Sequence, residues 1–251
     1  MYEAYPVLGF AEPVSCWTHL GAAAVFLYLS FFLVRRGKGN REHLSILVLF
    51  SFACVFLLTM SGVYHLLPRE GSARIVLQRL DHAAIYVLIA SSITAICSVA
   101  FARPWRWIGI LIIWLVAITA ITLKTIYFNS VSETLGLVFY LCFGWAGLIA
   151  VANLLRNHGF AHVSFLIYGG LVYSFGACLE YTGRPVLIQG VIGSHELFHI
   201  AVIIGISLHW KFLYDTLPYD SYVGADGVCK WREANSNELP NYSEDSVTIS
   251  K

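Results

Sequence analysis

Charge is scarce in this chain. Only 12% of its 251 residues are Asp, Glu, Lys or Arg, about half the roughly 25% of a soluble domain. Hydrophobic residues make up 58% and the mean hydropathy is +0.69, the composition of a polytopic membrane protein. The net charge of +1 provides no basic surface for a nucleic-acid partner. The opening residues, MYEAYPVLGF, lack a basic n-region, so the expectation is an uncleaved first span rather than a removed signal peptide. No two of the six cysteines form a CxxC pair, which argues against a disulfide framework and a thiolate zinc site alike. Cys16, Cys54, Cys97, Cys142 and Cys178 fall in or beside apolar runs and read as small packing residues. Internal repeats are absent. The apolar runs also lack a charged stripe through their middles, which a water-filled channel would usually need.

Long apolar runs dominate instead. A spanning helix needs roughly 20 mostly apolar residues. That ruler gives seven spans, at 14–34, 44–67, 80–101, 105–123 or a little beyond, 135–155, 160–179 and 191–213. Within hydrocarbon each segment must satisfy its own backbone, so the spans are helices. The expected fold is all-α, an integral membrane bundle of seven transmembrane helices over residues 1–215. Trp105, Trp107, Tyr127 and Trp210 fall near span ends, where an aromatic belt lies. Gly62, Gly144, Gly169, Gly170 and Gly176 are suited to close helix contacts. From 216 to 251 the chain turns polar without helical period, and this tail is expected to be disordered.

The polar residues concentrate in one stretch, Ser61 to His82, SGVYHLLPREGSARIVLQRLDH. Ionisable residues at the edge of a hydrocarbon-length helix are costly and mark function by default. Parity locates them. If the N-terminal side is face X, the second span ends there and the third and seventh begin there. Ser61, His65, Asp81, His195 and His199 therefore share one depth whichever way the protein inserts. His195 and His199, four apart, point the same way, as do Ser61 and His65.

Three imidazoles from two helices match a catalytic zinc site, which keeps a fourth position open for water. The expected ligands are His65, His195 and His199. Asp81 is expected to orient or deprotonate the water, and Ser61 to hydrogen-bond the water or a substrate carbonyl. His82 is read as a supporting or interhelical partner. Glu196 is expected to pair with Arg79 or another base, and His19 to be structural. His209 is too far along its helix to ligate. His43, His158 and His162 read as structural or solvated. Arg69, Arg74 and Arg79 are expected to meet lipid headgroups or pair with acids.

The stretches SGVYHLL, QRLDHAAIYVLIASSIT and GSHELFHIAVIIGISLHW, with the opening EPVSCWTHLGA, resemble the hemolysin III branch of the progestin and adipoQ receptor superfamily. The likeness covers about Glu12 to Tyr214. It implies zinc on His65, His195 and His199, with the family's Ser and Asp at Ser61 and Asp81. It also implies a multi-pass protein of the plasma membrane, the inner membrane in bacteria. Related receptors are similar to ceramide-cleaving hydrolases, while the hemolysin name implies cytolysis. The polar tail departs from the bacterial pattern.

Three functions stand at this point. The first is a zinc-dependent hydrolase cutting a lipid amide or ester that enters from the bilayer. The second is a receptor or homeostasis protein in which zinc clamps helices together. The third, a pore, ranks last for want of a polar stripe.

Overall fold

The computed structural model describes residues 5–7, 9–102, 104–217 and, for the backbone alone, 219–223 and 229–233. Among these, seven helical segments are long and apolar enough to cross a membrane. They are α1 (Pro13–Arg36), α2 (Arg41–Leu66), α3 (Ser72–Ala100), α4 (Trp105–Ile126), the pair α5 (Glu133–Trp145) and α6 (Leu148–His158), α7 (Phe160–Thr182) and α8 (Ser194–Thr216). Short loops join them, so consecutive helices run antiparallel, as expected of a bundle.

Local chemistry sets several of the ends. Asn40 Oδ1 accepts from the backbone N–H groups of Glu42 and His43 at 2.9 and 3.2 Å, which starts α2. Ser132 Oγ accepts from Leu135 N at 3.2 Å and starts α5. Glu196 Oε2 reaches back to Gly193 N at 2.8 Å and starts α8. Gly183, at φ +64°, ends α7 in the left-handed conformation that glycine adopts without steric cost.

The centre of the bundle is α3. Of its apolar stretch 78% is buried, against 22% for α1 and 11% for α4. Small residues run along it, including Ala84, Ala90, Ser91, Ala95 and Ser98, all buried. They let neighbouring backbones approach, which matters in lipid, where no hydrophobic force drives helices together. The hydroxyls are satisfied within the helix: Ser91 and Ser92 donate to the Leu88 carbonyl at 2.9 and 2.8 Å. Trp114 Nε1 on α4 donates to Thr94 Oγ1 at 3.0 Å and ties α4 to α3. Phe50, Leu58, Leu154, Ile206 and Phe212 fill the core around it.

Three boundaries differ from the sequence expectation. Helix α3 begins at Ser72, eight residues before the apolar ruler started it, because the helix continues into the headgroup region where charge is tolerated. Asp81 thus lies about two and a half turns inside α3 rather than at its start. The fifth span is broken at 146–147. Its GWAG sequence brings two glycines, poor helix formers, to the break. Lastly, in the tail expected to be disordered, Tyr219–Val223 and Cys229–Glu233 pair as antiparallel strands. The rest of the tail from 218 on lies outside the described residues.

Gly176 is one of three glycines at close α7–α8 approaches, with Gly169 and Gly205. A Cβ there would stand 2.6 Å from Ala201 Cβ, which cannot rotate away, and 3.3 Å from Phe198 Cδ2. Overpacking of this kind costs about 1–3 kcal/mol. Gly176→Ala is therefore expected to lower the thermal unfolding midpoint in detergent by about 3–10 °C. An unchanged midpoint would show that the two helices separate freely.

Candidate metal centre

Three helix ends converge at face X. The last two turns of α2 carry Ser61 and His65, α3 carries Asp81, and the first two turns of α8 carry His195 and His199. Ser61, His65, Asp81 and His199 are buried, and His195 is half-buried. One ligand atom from each of His65, His195 and His199 lies within 4.8 Å of the others. His65 Nε2 and His195 Nε2 are 3.4 Å apart. Two nitrogens bound to a tetrahedral ion at about 2.0–2.1 Å stand roughly 3.3–3.4 Å from each other. The group could hold a metal ion.

The surroundings fit that reading. His65 Nδ1 meets Glu12 Oε2, and His195 Nδ1 meets Glu180 Oε1 at 3.1 Å. With Nδ1 donating to a carboxylate, each ring, when neutral, presents its Nε2 lone pair to an ion. The two Nε2 atoms stand close enough for one cation to meet both, or for a protonated ring to donate to the other. Carboxylates behind metal-ligating histidines fix ring orientation and tautomer in this way. His199 Nδ1 is buried with no hydrogen-bond partner, an arrangement that normally demands a compensating ligand.

Glu12 is itself held. Arg74 Nη2 donates to its Oε1 at 2.7 Å, and the exposed Arg69 Nε lies 3.8 Å from the same oxygen. Burial raises the Glu12 carboxyl. The His65 hydrogen bond and the charges of His65, Arg74 and His195 outweigh it and bring the group down to about 2. Arg74 Nη1 also donates to the Leu67 and Tyr64 carbonyls at 2.6 and 3.2 Å. One guanidinium thus satisfies carbonyls at the end of α2 and the carboxylate at the start of α1.

The expected residues sort as follows. His65, His195 and His199 come together. Asp81 and Ser61 line the same cavity. Glu196 does not pair with Arg79. Its carboxylate accepts from Ser15 Oγ at 3.1 Å and from Gly193 N, so helix capping and an α1 contact use it fully. His82 packs on Phe128, ring centroids 5.3 Å apart, and its carbonyl accepts from Tyr140. His209 lies apart from the group, against Tyr173.

Three neighbours were not legible as site residues. Glu12 and Glu180 stand behind the imidazoles of His65 and His195. His19, expected to be structural, stacks on His199 with ring centroids 3.9 Å apart, and both its ring nitrogens are buried without partners. The available signals were an acid at the membrane edge, for Glu180, and the seven-residue spacing that puts Glu12 and His19 on one face of α1.

A cavity of about 1120 Å³ runs from this centre into the bundle, above the roughly 300–1,000 Å³ of ordinary small-molecule sites. Glu12, Asp81 and the three histidines line one end. Leu88, Ile93, Leu141 and Val202 line its body, and Tyr173 and His209 the far part. Gly144, Trp145 and Gly147, around the α5–α6 break, form part of its wall.

Residues 10–210 match the family model described as Haemolysin-III related. The chain is 32% identical over 143 residues to Hemolysin-3 of Bacillus cereus, across 55% of this chain and 61% of that protein. It is 30% identical over 157 residues to the Hemolysin-3 homolog of Bacillus subtilis (strain 168), across 62% and 70%. The first match thus spans less than two thirds of the Bacillus cereus protein.

Replacing Glu12 by Gln keeps the shape but removes the charge behind His65. Loss of such a supporting carboxylate typically weakens metal binding about 10–100-fold. Chelator competition on purified Glu12→Gln is expected to show a drop of this size. Equal retention in wild type and variant would contradict the role of Glu12.

Proposed function

The chain belongs to the haemolysin III family, a branch of the progestin and adipoQ receptor superfamily, and we propose that it is a zinc-dependent hydrolase of a lipid amide or ester. It is an integral, multi-pass protein of the plasma membrane, as its spans and bacterial relatives support. The observation that carries the hydrolase reading is the position of the histidine group. It opens on a largely apolar cavity with an aspartate and a serine beside it.

In this reading His65, His195 and His199 hold the ion. Bound zinc lowers the pKa of a coordinated water to about 7 and polarises a carbonyl. Asp81, buried at the cavity wall, accepts the proton of the attacking water. Ser61, one turn from His65 and lining the same cavity as Asp81, holds that carboxylate in place or donates to the substrate carbonyl. Glu12 and Glu180 keep two imidazoles aimed inward. The apolar side chains of the cavity accept the hydrocarbon part of the substrate and exclude bulk water, so that charges at the reacting end act at full strength.

A second reading has its own support. The ligating atoms come from α2 and α8, helices far apart in sequence, so a metal there would also clamp the bundle. Asp81→Asn separates the two. As a hydrolase the variant keeps its metal and loses at least about 10²-fold in hydrolysis of ceramides or glycerolipids, the usual scale of a lost acid–base group. If fully metallated wild type cuts neither class, the hydrolase reading fails and the clamp stands. Lysis, the property in the name of the Bacillus cereus relative, would gain support from liposome leakage that survives metal chelation.

A further inference from the structure

Two cations at face X make no ion pair among the described residues. Lys124, in the last turn of α4, is only 8% exposed. Arg79, two residues before Asp81 on α3, has its Nε buried without a hydrogen-bond partner. Neither makes an ion pair among the described residues. Both converge on one ring: Arg79 Cζ lies 5.5 Å and Lys124 Nζ 5.0 Å from the Phe128 centroid, and His82 stacks on that ring as well. The acidic neighbour of Lys124 is Glu133, across the α4–α5 turn, and it stays outside ion-pair distance.

A charge taken from water without a counter-charge is unfavourable, and a membrane protein keeps one only where something answers it. Depth says what that is. Helix α3 starts at face X and α4 ends there, so both cations lie at the level of lipid headgroups. Lys124, His82 and Gln78 also line the mouth of the cavity, beside Asp81. Phe128 supplies a π-face that holds both cations in place without neutralising them.

We propose that Arg79 and Lys124 form a binding site for the anionic headgroup, phosphate or carboxylate, of a lipid standing at the cavity mouth. The guanidinium offers a planar fork of donors and the ammonium a compact charge. Together they grip a tetrahedral or planar oxyanion while its chain points into the bundle or the bilayer. The site is independent of whether the metal centre cuts anything.

The test is lipid retention. Wild type, Arg79→Gln/Lys124→Gln and an Arg184→Gln control on the exposed α7–α8 loop are placed in phosphatidylcholine nanodiscs. The discs are doped with phosphatidylglycerol, or in a parallel arm with a long-chain fatty acid. Native mass spectrometry then reads the lipid each protein keeps. Wild type and Arg184→Gln are expected to enrich at least one anionic lipid roughly tenfold over its share of the disc. The double variant is expected to return to that share with metal content and unfolding midpoint unchanged. Retention in the phosphatidylglycerol arm assigns a phosphate, and retention in the fatty-acid arm a carboxylate. Equal enrichment in wild type and double variant, or none in wild type, overturns the site. A double variant that fails to fold is replaced by Lys124→Gln alone, which is expected to lose part of the enrichment. Full enrichment in that folded variant also overturns the site.

Discussion

The bundle depends on one contact between distant parts of the chain, the approach of His65 Nε2 on α2 to His195 Nε2 on α8 at 3.4 Å. Glu12 and Glu180 hold the two rings there, from the start of α1 and the end of α7. Four of the seven spans therefore meet through one polar knot at face X. Arg74, at the start of α3, adds the fifth by holding Glu12 and closing the end of α2.

That knot sits at one end of a cavity within the bundle. A bundle of seven apolar helices would ordinarily pack to a dense core. Here α3 fills the centre with small residues, and the fifth span breaks beside it. The space left open is about 1120 Å³. The polar end and the apolar body of this cavity have the amphipathic pattern of a lipid. Arg79 and Lys124, which make no ion pair among the described residues, continue the pattern outward to the headgroup level.

Much of this was legible in the sequence. Counting spans needs only the apolar ruler, and parity then brings Ser61, His65, Asp81, His195 and His199 to one depth without knowledge of side-chain packing. The four-residue spacing of His195 and His199 supplied the shared face. Other parts were hidden for physical reasons. Glu12 precedes the first span in a loop, where an acid normally meets water, and nothing in its spacing points to α2. Glu180 ends α7, and its partner lies across a loop whose path the sequence does not reveal. His19 is a lone histidine on an apolar helix, which usually packs. Glu196 sits between His195 and His199, yet its carboxylate is taken up by the helix start, a competition that spacing alone cannot resolve. The α5–α6 break also had to be seen, since paired glycines are common in unbroken membrane helices.

The central claim is that three histidines from α2 and α8 hold one ion. Elemental analysis of wild type beside His195→Ala tests it most directly, with both proteins purified without added metal. The account predicts about one zinc per chain in wild type and its loss from a variant that still folds as a helical bundle. Wild type free of metal, or equal zinc in the two proteins, would contradict it.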